Sequence, residues 1–170
     1  ALLRAGVEPG ERVGTLAWNG YRHLEAYYGI SGMGAVCHTI NPRLFPEQLV
    51  YIINHADDRF VLFDISFAPL VDRLAPLCPQ VRGWIAMTDE AHLPAAATPL
   101  LAYETLLEAE DGDYQWPLLD ERQASSLCYT SGTTGNPKGV LYSHRSTVLH
   151  AYAAALPDAM GLSALDSVLP

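Results

Sequence analysis

Four short apolar, β-rich runs at residues 13–17, 36–40, 60–64 and 83–87 begin 23, 24 and 23 residues apart. The segments between them carry helical spacing. After the first run, Asn19 is a candidate N-cap ahead of Tyr21, Leu24 and Tyr28, which fall at i, i+3 and i+7. After the second, Pro46 and Glu47 suit a first helical turn, and Leu49, Ile52, Ile53 and Ala56 share one face. After the third, Phe67, Leu70, Val71 and Leu74 form a stripe closed by Pro76 and Pro79. Strands alternating with single helices at this interval predict an α/β fold, a mostly parallel sheet with flanking helices. The runs share no sequence with one another, so the interval is architectural.

With 170 residues, 18.5 kDa, 49% apolar and 17% charged residues, the chain can bury a core, which excludes a disordered, collagen-like or coiled-coil polypeptide. Its net charge of −9 argues against a nucleic-acid partner. No apolar run approaches the roughly 18 residues of a membrane helix, and no basic-then-apolar leader opens the sequence. Cys37, Cys78 and Cys128 are odd in number and never in a CxxC pair, the pattern of a reducing compartment, so a cytoplasmic address is expected without a disulfide framework or zinc site. The chain opens on Ala1-Leu2-Leu3, its first methionine is Met33, and it closes where an apolar stretch has just begun. The expectation is a piece of a longer protein.

Charge is distributed unevenly. Residues 83–121 hold nine acidic side chains and no lysine or arginine, and read as a solvated connecting segment with one short helix near 103–107. The carboxylates lack the spacing of metal ligands. Residues 122–157 reverse this, with Arg122, Lys138 and Arg145 and not one Asp or Glu. A window of +3 in a chain of −9 points to an anionic ligand.

At the centre of that window lies residues 129–140, YTSGTTGNPKGV. Residues 130–139 supply four hydroxyls, three glycines and one lysine, the set a polyphosphate needs: close backbone N–H groups, hydroxyl donors and a mobile cation. Asn136-Pro137 sets a turn that holds Lys138 in place. A Walker A loop is excluded, because Lys138 follows a proline. Residues 126–130 and 140–143 read as strands, so the loop joins strand to strand and holds phosphate without a helix dipole. A flexible linker is the plain alternative, but linkers do not sit between two apolar strands.

The stretch 129–140 resembles the signature loop of the adenylate-forming superfamily, which includes acyl-CoA synthetases, aryl-CoA ligases and peptide-synthetase adenylation domains. The stretches 39–56 (TINPRLFPEQLVYIINHA) and 141–151 (LYSHRSTVLHA) are similar to those of bacterial medium- and long-chain fatty-acyl-CoA ligases and methylmercaptopropionate-CoA ligases. The resemblance implies activation of a carboxylic acid with ATP and Mg2+ to an acyl-adenylate, then transfer to coenzyme A. By position it implies that Thr130, Ser131, Gly132, Thr133, Thr134 and Lys138 contact the nucleotide, with Gly135 serving backbone geometry. Lys138 is then the catalytic cation, and the Thr130 hydroxyl lies near the magnesium. It further implies that residues 1–170 are part of a large N-terminal AMP-binding domain, with adenine, ribose and acyl contacts and a C-terminal lid domain outside them. This piece alone is then inert, and a homodimer is the expected assembly. A non-catalytic nucleotide-binding module and an aryl-CoA ligase remain the alternatives.

Other candidates read as structural. His144 opens a helical run, and His150, six residues on, lies off its face, which removes a helical metal pair. His23, His38, His55 and His92 are scattered. Residues 29–34 have the wrong glycine order for a dinucleotide loop and suit a helix end. Asn41-Pro42-Arg43 shapes a turn, and Cys128 is expected in a buried strand position.

Overall fold

The computed structural model describes residues 1–130 and 136–167. Its elements are β1 (Arg12–Leu16), α1 (Tyr21–Gly32), β2 (Val36–Thr39), α2 (Pro46–Ala56), β3 (Asp58–Phe63), α3 (Ala68–Leu74) and β4 (Gly83–Ala86). They continue with β5 (Leu100–Ala102), α4 (Tyr103–Glu108), β6 (Ala124–Thr130), β7 (Lys138–Ser143) and α5 (His144–Ala155). The strands make one sheet in the order β5-β4-β3-β1-β2-β6-β7. Every neighbouring pair is parallel except β6 and β7, which are antiparallel. The mostly parallel α/β sheet anticipated above is therefore the fold.

Strand order decides which face each helix covers. The step from β1 to β2 runs toward one edge of the sheet, and the steps to β3 and β4 run back past β1. Right-handed crossovers in opposite directions place their helices on opposite faces. Ala26 and Ile30 of α1 accordingly pack with Val13, Phe60, Leu62, Ile85 and Tyr103 on one side. Leu49, Ile52 and Ile53 of α2 and Val71 and Leu74 of α3 pack with Val61, Phe63, Trp84 and Ala86 on the other. The strict alternation of Phe60 and Leu62 against Val61 and Phe63 is the two-residue period of a strand buried on both faces.

The α2 helix follows its sequence signals. Pro46 occupies the first turn, Gln48 reaches back to the Phe45 N–H, and Leu49, Ile52, Ile53 and Ala56 are all buried. Asp57 ends it in a left-handed conformation at φ 56°. Arg12 of β1 then donates to the Ala56 carbonyl at 2.6 Å and to the Asp57 carboxylate at 2.8 Å, neutralising the negative end of the helix.

The α1 helix departs from expectation. Gly20, not Asn19, is its N-cap, and Tyr21, Leu24 and Tyr28 face outward while Ala26 and Ile30 are buried. The Phe60 ring of β3 and the Tyr103 ring of α4 share the layer beneath α1 with Ala26 and Ile30. Gly34, at φ 91°, ends the connection into β2, as the helix-end reading of residues 29–34 requires. The acidic segment holds the short α4 helix but also β5, a three-residue strand at the edge of the sheet that its composition hid. None of its carboxylates joins a metal-binding cluster, and among the described residues no group of three or more His, Cys, Asp or Glu could hold a metal ion.

Candidate functional site: a loop closed by two paired strands

Six parallel strands point their carboxyl ends to one edge of the sheet, the edge where open α/β sheets place ligands. There β6 ends at Thr130 and β7 begins at Lys138. The two residues are direct partners in the ladder, followed inward by Tyr129 with Gly139 and Cys128 with Val140. The loop thus joins strand to strand, with Lys138 already inside the second strand. Ser131, Gly132, Thr133, Thr134 and Gly135 lie outside the described residues, so the structure places Thr130 and Lys138 of the expected set. It brings those two together at the mouth of the loop, both exposed.

Electrostatics single out Lys138. It is the one lysine of the sequence. Arg145, in the same acid-free window, is paired with Glu121 at 2.6 Å. Lys138 and Arg122 have no carboxylate partner among the described residues, and Arg122 sits before the opposite end of β6. The cation free to meet an anion at the loop is therefore Lys138. The Thr130 hydroxyl is the described oxygen that would be offered to a magnesium ion there, a cation that keeps waters and takes substrate phosphates.

Behind the loop lies a polar cluster that sequence reasoning passed over. His38 Nδ1 is 2.7 Å from Asp58 Oδ2, and both side chains are fully buried. The pair spans β1, which lies between β2 and β3, and Gly14 makes that reach possible. A Cβ at Gly14 would stand 3.2 Å from Asp58 Oδ2 and 3.0 Å from Ile40. Burial holds the Asp58 carboxyl above the ordinary range, opposed by its hydrogen bond to His38. His38 Nε2 and Asp58 Oδ1 are buried without a hydrogen-bond partner among the described residues.

Tyr129, the residue before Thr130, leans on this pair. Its ring lies 5.2 Å from that of His38, and its hydroxyl is 2.7 Å from Nδ1 of His55 at the end of α2. Burial, reinforced by the Asp58 charge, pushes the phenol up to about 12. His38 and His55, read as scattered structural histidines, are thus joined through Tyr129. The available signal was a polar residue inside each of two apolar runs, His38 among 35–40 and Asp58 at the head of 58–63.

Remaining candidates fall into place around this site. His144 begins α5, capped by Ser143, which accepts from the Ser146 N–H at 3.1 Å. Asn41 Oδ1 accepts from the Arg43 N–H and forms the expected turn. Cys128 is half-buried, not buried, because β7, the strand beside it, is an exposed edge. A cavity of about 230 Å³ opens beside Thr39, Asn41, Leu44, Cys128 and Tyr129, at the carboxyl ends of β2 and β6. A larger one of about 520 Å³, between α1, α4 and the first four residues, shares no residue with the loop. Among the described residues, no helix is long and apolar enough to cross a membrane.

Comparison with known proteins places these features in context. Residues 1–169 match the family described as AMP-binding enzymes. The chain is 56% identical to a 3-methylmercaptopropionyl-CoA ligase of Ruegeria lacuscaerulensis, over all of this chain and 32% of that protein. It is 54% identical to a medium-chain-fatty-acid–CoA ligase of Ectopseudomonas oleovorans, over all of this chain and 31% of that protein. The crystal structure of an anthranilate CoA ligase in complex with anthranoyl-AMP superposes with a TM-score of 0.81 at 26% identity, over 89% of this chain and 28% of that one. The chain thus spans about a third of the length of the relatives it matches.

Proposed function

The chain belongs to the AMP-binding enzyme family, and from that premise we propose that it is part of an ATP-dependent acid–thiol ligase acting on a fatty or related small aliphatic acid. Residues 1–170 then belong to the large N-terminal domain of that enzyme, and the activity is a property of the longer chain. The single observation that carries the reading is the paired mouth of the loop, Thr130 opposite Lys138, in a window without one carboxylate.

In the proposed reaction a carboxylate oxygen of the acid attacks the α-phosphorus of ATP. The bond to the β-phosphate bridging oxygen breaks and pyrophosphate leaves. The thiol of coenzyme A then loses its proton to water, its sulfur adds to the acyl carbon, and AMP leaves with the electron pair of the acyl–oxygen bond. Magnesium, when bound, neutralises phosphate charge. The protein's part is electrostatic: Lys138 meets the charge that grows on the departing pyrophosphate. Thr130, Ser131, Thr133 and Thr134 offer hydroxyls, Gly132 and Gly135 let backbone N–H groups approach, and the Thr130 hydroxyl would be the protein oxygen offered to the magnesium. The hairpin keeps the two limbs of the loop at fixed separation, so the site does not pay to assemble itself at each turnover. Substrate class is proposed from the similarity of the stretches 39–56 and 141–151 to fatty-acyl and methylmercaptopropionyl ligases.

The test is acid-dependent pyrophosphate exchange in the intact enzyme. Lys138→Ala is expected to slow the exchange about 10²- to 10³-fold, as loss of one preorganised charge contact does, while acid binding changes little. An unchanged exchange rate removes Lys138 from the mechanism. No ATP binding by the wild-type enzyme removes the proposal altogether.

A further inference from the structure

We propose that Tyr129 is a positioning residue for the phosphate loop, tying both of its limbs to the core through His55, the His38–Asp58 pair and Gly139. The inference rests on the reading of residues 130–139 as the cradle for ATP phosphates.

Tyr129 touches each part of the frame from one ring. On the incoming limb it is the covalent neighbour of Thr130. On the outgoing limb its ladder partner is Gly139, next to Lys138, and a Cβ at Gly139 would lie 3.2 Å from the Tyr129 ring carbon that bears the hydroxyl. The glycine therefore leaves room for the ring to lie across the hairpin. Any side chain there displaces either the ring or the strand that begins with Lys138. At its far end, the hydroxyl reaches His55 at 2.7 Å, and Tyr51 stacks on His55 with ring centroids 5.3 Å apart. The ring edge rests near His38, whose own orientation is held by Asp58.

The geometry is that of a peg. A hairpin end is free to twist about its last ladder pair, and Thr130 and Lys138 are that pair. A ring fixed at one end to α2 and lying across the hairpin one pair below opposes that twist. The hydroxyl and ammonium then reach the ligand already oriented, which matters for phosphate affinity more than for acid affinity.

Three single variants of the intact enzyme and one double variant test this. Tyr129→Phe keeps the ring over Gly139 and removes the hydroxyl, and His55→Ala removes its partner from an exposed position. Each is expected to raise the KM for ATP about tenfold, the worth of one hydrogen bond, with the KM for the acid within about twofold of wild type. The double variant is expected to be no worse than either single one, because both remove the same bond. Gly139→Ala, which displaces the ring itself, is expected to lose more in ATP-dependent exchange than either. Thermal midpoints for Tyr129→Phe and His55→Ala are expected to fall by no more than about 4 °C, the worth of one hydrogen bond, and these two decide the question if Gly139→Ala does not fold.

Equal shifts in the KM for ATP and acid, or fully additive effects in the double variant, overturn the positioning role. Failure of the underlying reading looks different: the wild-type enzyme would show no acid-dependent pyrophosphate exchange before any substitution is made.

Discussion

Helices α2 and α5 have nearly the same length, 11 and 12 residues, and apolar stripes of similar spacing, yet they live in different physical settings. The α2 stripe is entirely buried, Leu49, Ile52 and Ile53 with residues of β3 and α3, and Ala56 with Val36 of β2 and Leu127 of β6. No residue of α5 is buried, and Val148, Leu149 and Tyr152 are each more than half exposed, at 54%, 54% and 72%. The same division runs through the sheet: the four strands from β4 to β2 are packed on both faces, whereas β7 is exposed along most of its length. Apolar spacing alone therefore does not say whether a face is covered. On the α2 side the cover lies within the described residues. On the α5 side, beside the loop, the described residues supply none.

The largest effect expected from this contrast is at Ile53. Ile53→Ala removes a fully buried side chain between α2 and the sheet and leaves a cavity, at a cost of about 2–5 kcal/mol read from denaturant unfolding. A loss below 1 kcal/mol, about the cost of a surface truncation, would mean that this side collapses as freely as a surface and would erase the distinction.

A smaller effect is expected at Arg12, which belongs to the packed side but acts through charge. Arg12→Met keeps most of the apolar stem and removes the bonds to the Ala56 carbonyl and the Asp57 carboxylate. The expected cost is about 1.5–3 kcal/mol, that of hydrogen bonds to charged groups in a half-buried place. The companion Asp57→Ala variant separates the parts. It leaves the carbonyl bonds but removes the carboxylate's pairs with both Arg12 and Arg59 and puts Ala at φ 56°, so a cost below that of Arg12→Met would show that the helix-end carbonyls carry most of the effect.

Much of the packed side was legible because burial on two faces leaves a dense signal. The runs at 13–17, 36–40, 60–64 and 83–87 fall on β1 to β4 within two residues at each end. The α1 helix was legible as a helix but not in orientation. Tyrosine and leucine at Tyr21, Leu24 and Tyr28 weigh heavily in a pattern, while only Ala26 and Ile30 of the helix are buried against the sheet. The β5 strand was hidden because three paired residues at an edge leave almost no periodicity. At the site, residue type and order within 129–140 suggested the chemistry, and the structure sets Thr130 opposite Lys138 in the β6–β7 ladder. The His38–Asp58 pair was not legible. It joins residues 20 apart in sequence across an intervening strand, and the enabling feature is a missing side chain at Gly14.

The smallest effect concerns the open side, and it sharpens the comparison because the sign of the contrast can change with context. In the 170-residue chain alone, Leu149→Ala removes a side chain that is already half in water. Its cost is expected to stay within about 0.5 kcal/mol, and the gain in helix propensity offsets part of that. In the intact enzyme the same substitution meets whatever covers α5. If that cover is as dense as the one over α2, the cost rises to the range given for Ile53, about 2–5 kcal/mol. Thermal or denaturant midpoints of the two variants, each against its own parent, give the difference directly. Equal small costs in both contexts would leave the α5 stripe exposed in the whole protein, and the division between the two sides would then be a property of the fold itself. A large cost confined to the intact enzyme would show that the loop sits at a seam, with its β6–β7 frame built on one side by this chain and closed on the other by the rest of the protein.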